Sequence, residues 1–287
     1  MSQKHEPSRR EFLTQTGALL FADALSHSES LATGPPATTV GREEGKVPVI
    51  DCHAHCGIAQ GVVYSWDTVG DVEEILRNAD EAGVDKTIIF PLGNKSYKKS
   101  NEYIAQMCQR YPEKLIGYAW HSAQTENYPV HDLLVHEVHD LGLRGLKLHD
   151  QPSKEILDTV KELGIPVIAH LERMRDWEEF LPYYPTINFV VAHLGSDNSF
   201  EVEEHLAAID LAKRYPNVYL ENSAVLLTKY IEMAIEQLGP EKVLLGSDAP
   251  DVDVRRTIFQ IRVLKLPKEH EQMILGGNML RLLGGRA

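Results

Sequence analysis

Cysteine is scarce in this chain of 287 residues: Cys52, Cys56 and Cys108 are all it has. Three thiols are too few for a disulfide framework in a domain of this size, so burial must hold the fold together. Long apolar runs are also missing. None reaches the roughly 18 residues of a membrane-spanning helix, so no membrane span is expected. Basic charge is in deficit, with 29 Lys and Arg against 42 Asp and Glu and a formal net charge of −13. An acidic surface repels phosphate backbones, which excludes nucleic acid as the expected partner. The balance says little about a small substrate, because a local site can oppose the global sign. What is present is ordinary for a globular protein: 25% charged and 43% hydrophobic residues, in a length that suits one large domain or two small ones. The 13 histidines are informative only through their positions.

The first 45 residues read differently from the rest. Ser8–Leu13 is S-R-R-E-F-L, followed by an apolar stretch from Gly17 to Leu25. This resembles the twin-arginine export signal, in which paired arginines precede a short apolar segment. The resemblance implies the twin-arginine export machinery as a partner and a periplasmic destination; the alternative is a polar arm and a cytoplasmic protein. Ala32–Lys46 is rich in Gly, Pro and Thr and reads as a linker. Residues 1–45 are therefore set apart as signal and linker, and 46–287 as the folded domain.

From Val47 onward, short apolar runs alternate with amphipathic helical patterns. The runs are Val47–Asp51, Lys86–Pro91, Leu115–Trp120, Leu143–His149, Pro166–His170, Asn188–His193, Val218–Glu221 and Val243–Asp248. Each is short and rich in Val, Ile, Leu or aromatics, as expected of strands buried on both faces. Between them, sets such as Val69, Val72, Leu76, Ala79 and Ala82 recur at helical spacing. Gly83, Gly142 and Gly164 stand where helices should end. Eight such units in about 240 residues predict a single (β/α)₈ TIM barrel of the α/β class. The other candidate is an open doubly wound sheet. The barrel is favoured because many strands end in polar residues, and a barrel gathers those ends at one mouth.

Those strand ends carry the chemistry. The first strand reads V-I-D-C-H-A-H, and strand alternation puts Asp51, His53 and His55 on one face. Turned inward, His53 and His55 are half of a metal site. The same alternation turns Cys52 toward the helices as packing. The fifth run ends in His170, the sixth in His193 and the eighth in Asp248, each a potential ligand or base after a buried run. In the fourth, G-L-K-L-H, Lys147 and His149 share a face. Arg173 could grip a substrate carboxylate, and Tyr64 and Trp66 could wall a pocket. His131, His136 and His139 fall on a predicted helix and read as solvated.

The D-x-H-x-H motif, the two strand-end histidines and G-S-D-A-P in this order resemble the amidohydrolase superfamily, in particular its amidohydrolase-related branch. The resemblance runs from about Val47 to the end, where I-L-G-G-N-M-L-R-L-L (Ile274–Leu283) looks like the branch's closing C-terminal helix. It implies that His53, His55, His170 and Asp248 ligate one divalent metal ion. Zn²⁺ is the first choice; Mn²⁺, Co²⁺ and Fe²⁺ suit the same donors. His193 and Asp248 would be catalytic, and Lys147, His149, Arg173, Tyr64 and Trp66 would contact substrate. Some members of the superfamily carry a carboxylated lysine that bridges two metals, a role open to Lys147.

The implied activity is hydrolysis, a metal-activated water attacking the carbonyl of an amide, lactone or ester in a small substrate. The same site could instead run non-oxidative decarboxylation of an aromatic or enoic acid. A third reading is a secreted metal-binding barrel without turnover. A spare base at His193 beside Asp248 argues against the third, since pure binding needs none.

Overall fold

The computed structural model describes residues 47–59, 68–94, 96–126, 128–285 and 287. The export segment expected over residues 1–45, Tyr64 and Trp66 lie outside the described residues. The strands are β1 (Ile50–Ile58), β2 (Val69–Gly70), β3 (Lys86–Pro91), β4 (Leu115–Gly117), β5 (Ala119–Trp120), β6 (Leu146–Leu148), β7 (Val167–Ala169), β8 (Phe189–Val191), β9 (Val218–Glu221) and β10 (Val243–Leu244). Each predicted run meets one of them, and Tyr118 divides the third run into β4 and β5. The first strand departs most from expectation, running on through both histidines to Ile58.

Apart from the short antiparallel β2, all pairings are parallel: β1 with β3, β3 with β4, and then β5 through β10 in chain order. Tyr118 N donates to Ile89 O and Ala119 N to Gly145 O, both at 2.9 Å, which carries the ladder from β3 to β6. On the far side, Cys52 N donates to Leu245 O at 2.9 Å and Ala54 bridges Ala249. The parallel ladder thus returns to β1. An open sheet would leave two edges that this closure removes.

Two apolar layers result. Ile50, Cys52, Ile88, Phe90, Ile116, Tyr118, Ile168, Val190, Tyr219 and Leu244 pack inside the ring. Ala54, Ile89, Leu146, Val167, Phe189, Leu220 and Leu245 pack outward, against helix residues such as Ile75, Ile104 and Ile258. This corrects the expected alternation along β1. The register between β1 and β3 slips between Asp51 and Ala54: Asp51 pairs with Thr87, but Ala54 with Ile89. That is one extra residue on β1, a bulge. Cys52 therefore joins the inner cluster instead of facing the helices. Asp51 lines a cleft beside Ile75, Ala79 and Val254 of the outer helices. There its carboxylate accepts from Ser247 N at 2.8 Å and Ser247 Oγ at 2.7 Å.

The helices form where their ends are capped. In Val72–Ala82, Asp71 accepts from Glu74 N at 2.9 Å and Gly83 closes the helix at φ 77°. His131–His139 is a helix, as expected, with His131 and His136 exposed. The expected closing helix consists of three consecutive pieces: Lys268–Gln272, a π-helical turn Met273–Gly277, and Asn278–Leu282. Met279, Leu282 and Leu283 of this segment pack with Ile50 and Leu244, and so seal one end of the ring. Gly276 permits the approach, since a Cβ there would sit 1.8 Å from Pro48 O. Among the described residues no helix is long and apolar enough to cross a membrane.

Candidate metal centre

The expected site residues lie within β1 or just beyond the ends of other strands. His53 and His55 lie on β1 past the bulge, His170 follows β7, His193 follows β8, and Asp248 lies four residues past the end of β10. His193 and Asp248 adopt left-handed backbone conformations, with φ of 56° and 75°. Residues with a Cβ avoid this region, and such strain is held in place only by surrounding contacts. Here the contacts are visible: His193 N donates to Glu221 Oε1 at 2.9 Å, and Asp248 N to His53 O at 2.8 Å.

Three donor atoms converge. His53 Nε2 lies 3.4 Å from His55 Nε2 and 3.1 Å from Asp248 Oδ1, and His55 Nε2 lies 3.4 Å from the same oxygen. The far nitrogen of each ring is occupied, His53 Nδ1 by Glu221 Oε1 at 2.9 Å and His55 Nδ1 by Pro91 O at 3.0 Å. Those acceptors require hydrogen on Nδ1, which leaves both Nε2 lone pairs aimed at each other and at a carboxylate oxygen. Positive charge relieves their mutual repulsion: Lys147 Nζ reaches His53 Nε2 at 3.3 Å, and a metal ion in the gap would relieve the rest. The donor set of two imidazoles and a carboxylate fits a divalent ion. His53, His193 and Asp248 also offer ligand atoms all within 4.8 Å of one another.

The electrostatics follow. Burial pushes the Glu221 carboxyl up, but His53, His193 and Ser223 outweigh it and hold the group down at about 2. Burial likewise works against the Asp248 anion, and His193, His53 and His55 reverse the effect, leaving it well below the usual carboxylate range. Burial and the Lys147 ammonium push His53 down, yet Glu221 and Asp248 raise it overall. Burial holds His55, His170 and His193 below an ordinary imidazole, the neutral state a ligand needs. Lys147 is fully buried, with Nζ 3.3 Å from His53 Nε2 and 5.0 Å from the Phe90 ring centre. Burial lowers it to about 8 against the pull of Asp248 and Glu221.

His170 stands one ring further along, its centre 4.5 Å from both His193 and His149. His149 is exposed and stacks on Trp120 at 5.6 Å. Arg173 is half exposed and directs Nε to Asp176 Oδ2 at 3.2 Å, so it is not drawn into the cluster. Three neighbours escape the sequence reading. Glu221 binds His53 and His193. Ser223 Oγ lies 2.8 Å from His193 Nδ1 and 3.3 Å from His53 Nδ1. Trp120 lies 5.8 Å from the His55 ring. Glu221 and Trp120 end strands, as the recognised ligands do, so position is the available signal.

Residues 50–285 match the family described as Amidohydrolase. A search of curated proteins gives no match. Solved structures share the fold, among them the following three. An amidohydrolase from Burkholderia multivorans with bound zinc aligns at a TM-score of 0.68 and 16% identity, covering 83% of this chain and 99% of that one. A putative 2-pyrone-4,6-dicarboxylic acid hydrolase from Pseudomonas putida aligns at 0.67 and 17%, covering 84% and 99%. A dihydroxybenzoic acid decarboxylase from Polaromonas sp. JS666, with bound manganese and the inhibitor 2-nitroresorcinol, aligns at 0.65 and 14%, covering 84% and 98%.

Proposed function

We propose that this chain, which belongs to the amidohydrolase family, is a metal-dependent hydrolase acting on the carbonyl of a small amide, lactone or ester. The observation that carries the reading is the convergence of His53 Nε2, His55 Nε2 and Asp248 Oδ1 within 3.4 Å, each ring held in one tautomer from behind. A divalent ion held by His53, His55 and Asp248, with His170 completing the set, would supply Lewis acidity and a more acidic water. The chain's own groups would do the rest. Asp248 is an anion at the edge of the cluster, 18% exposed at its side chain, and would take the proton that the attacking water loses. His193, whose Nδ1–H is directed to Ser223, presents the Nε2 lone pair and would accept from the attacking water and so orient it. Glu221 would keep hydrogen on His53 Nδ1, so that Nε2 stays a donor atom.

Non-oxidative decarboxylation is the second reading. Tyr97, Trp120 and His149 stack in sequence beside the cluster, with successive ring planes 8° and 13° apart, and the exposed His149 at the end of this aromatic wall would suit a planar acid. Against it, the arginine that could grip a carboxylate, Arg173, is paired with Asp176.

Metal analysis of the purified chain beside a His53→Ala/His55→Ala variant tests the premise. About one divalent ion per chain, lost in the variant, supports the site; two would move Lys147 to a bridging role. No metal in either, after reconstitution with Zn²⁺ or Mn²⁺, would sink the mechanism. Turnover of lactones, esters and amides against aromatic acids then separates the two reactions. We also propose that residues 1–45 direct twin-arginine export to the periplasm. Replacing Arg9 and Arg10 by lysine should retain the protein in the cytoplasm; unchanged export would refute this.

A further inference from the structure

Outside the metal centre, the described residues hold a second fully buried histidine with charged partners. His121 Nδ1 lies 2.8 Å from Glu126 Oε2, and His121 Nε2 lies 2.8 Å from Glu137 Oε2. All three side chains are buried. A neutral imidazole carries one N–H and would turn a bare lone pair on one carboxylate. Two ionised carboxylates at hydrogen-bond distance are both satisfied by two N–H groups, that is, by an imidazolium. The carboxylates flank opposite edges of the ring. Their oxygens therefore do not converge with a ring nitrogen on one point, as metal ligands would.

The cluster is wired to the aromatic wall. Trp120 precedes His121, and its peptide is held on both sides by Asn101: Trp120 N donates to Asn101 Oδ1 at 3.0 Å, and Asn101 Nδ2 donates to Trp120 O at 3.2 Å. The same Asn101 Nδ2 donates to Glu137 Oε1 at 2.9 Å. On the other arm, Glu126 Oε1 accepts from Tyr97 N at 3.1 Å, and the Tyr97 ring stacks on Trp120 at 5.0 Å. Both partners of Trp120 thus hang from the two carboxylates that flank His121.

We propose that His121, as an imidazolium between Glu126 and Glu137, is a positioning residue that sets where the Trp120 wall stands beside the metal centre. The link to catalysis rests on reading the histidine cluster as the reacting centre; the placement of Trp120 does not. The titratable groups packed around His121 are Glu126 on its own loop, Glu137 on the helix His131–His139, Tyr128 on Glu126, and Asp150, which reaches the loop through Ser122. Burial disfavours the imidazolium, but the two carboxylates raise it to about 9. Loss of its proton leaves a buried carboxylate facing a lone pair, and Trp120 loses the clamp on its neighbour.

The test uses the full chain labelled with 5-fluorotryptophan. Trp120 is one of three tryptophans, and its ¹⁹F resonance is assigned by comparison with Trp120→Phe. Wild type should show a transition of this resonance with a midpoint near pH 9, beside any that Lys147, the sheet neighbour of Trp120, adds near 8. Glu137→Gln removes one carboxylate and should lower the midpoint by about one unit or more. His121→Gln should abolish the transition near pH 9 while Co²⁺ binding is retained. A resonance with no transition near pH 9 in folded wild type, or one whose midpoint is unmoved in Glu137→Gln or that persists in His121→Gln, would overturn the proposal. Should His121→Gln fail to fold, the other two proteins decide. None of these readings needs turnover, so a chain without hydrolase activity can still pass or fail.

Discussion

Glu221 accepts from four donors, His53 Nδ1, His193 N, Ser223 N and Ser223 Oγ, while lying behind the gap where the lone pairs meet. Glu221→Gln keeps the shape but puts an NH₂ where only acceptors belong. Removing a partner of this kind costs roughly 10–100-fold in metal affinity. Zn²⁺ affinity by chelator competition should fall by that factor. Gly246→Ala should act in the same direction, because its Cβ would lie 2.4 Å from Glu221 Oε2. Unchanged affinity in both would mean that Glu221 does not set the His53 tautomer. His170 and His193 separate in a second comparison. If His170 is the ligand and His193 the catalytic group, His170→Ala loses metal, while His193→Ala keeps it and loses turnover. The reverse result would exchange the roles. His170 and Asp248 were legible because each ends a strand-like run, and His53 because it pairs with His55 on one strand face. Glu221 also ends a run, but its role and that of Ser223 were not legible, because their partner His53 lies across the closed ring, 168 and 170 positions away. Strand alternation puts Asp51 and Cys52 on the wrong faces because it cannot reveal a bulge.

The strands themselves were legible as runs of β-branched and aliphatic residues, and helix ends at Gly83 and Gly164 as glycines that take the left-handed conformation. The division of the third run at Tyr118 carries no such mark. Nor does the loop after β5, where His121 reads as one more histidine until the helix His131–His139 brings Glu137 to it. That loop has a pH-dependent stability of its own. The folded-state value of His121 is raised from 6.5 to about 9, so folding favours the protonated form. The resulting stabilisation is fully present below about pH 6.5 and fades as pH rises through about 9, a loss on the order of 3 kcal/mol if His121 acts alone. Urea unfolding at pH 6.5 and 9.5 should show this difference in wild type and a much smaller one in His121→Gln. Equal pH dependence in the two proteins would place the titration elsewhere.

At the scale of the molecule, a closed ring of strands concentrates the candidate ligands at one mouth and seals one end with Met279, Leu282 and Leu283. The architecture brings together donors whose lone pairs oppose one another, and each is further set by a buried carboxylate, a backbone carbonyl or a left-handed turn. Such a site favours folding only when positive charge fills it. An ion that binds the folded chain alone stabilises it by about 2.7 kcal/mol at a free concentration one hundred times its dissociation constant. For a domain of this size each kcal/mol moves the melting midpoint by roughly 2–4 °C. Chelation of the metal-loaded protein should therefore lower the midpoint by roughly 5–10 °C, and added Zn²⁺ should restore it. The His53→Ala/His55→Ala variant should melt at one temperature with or without chelator. The net charge of −13 supplies the needed control, since an acidic surface gathers cations without a specific site. Mg²⁺ at the same concentration should give little stabilisation, because it prefers oxygen ligands to imidazole. Equal stabilisation by Mg²⁺ and Zn²⁺, or an equal response in the double variant, would assign the effect to general screening and not to the histidine cluster.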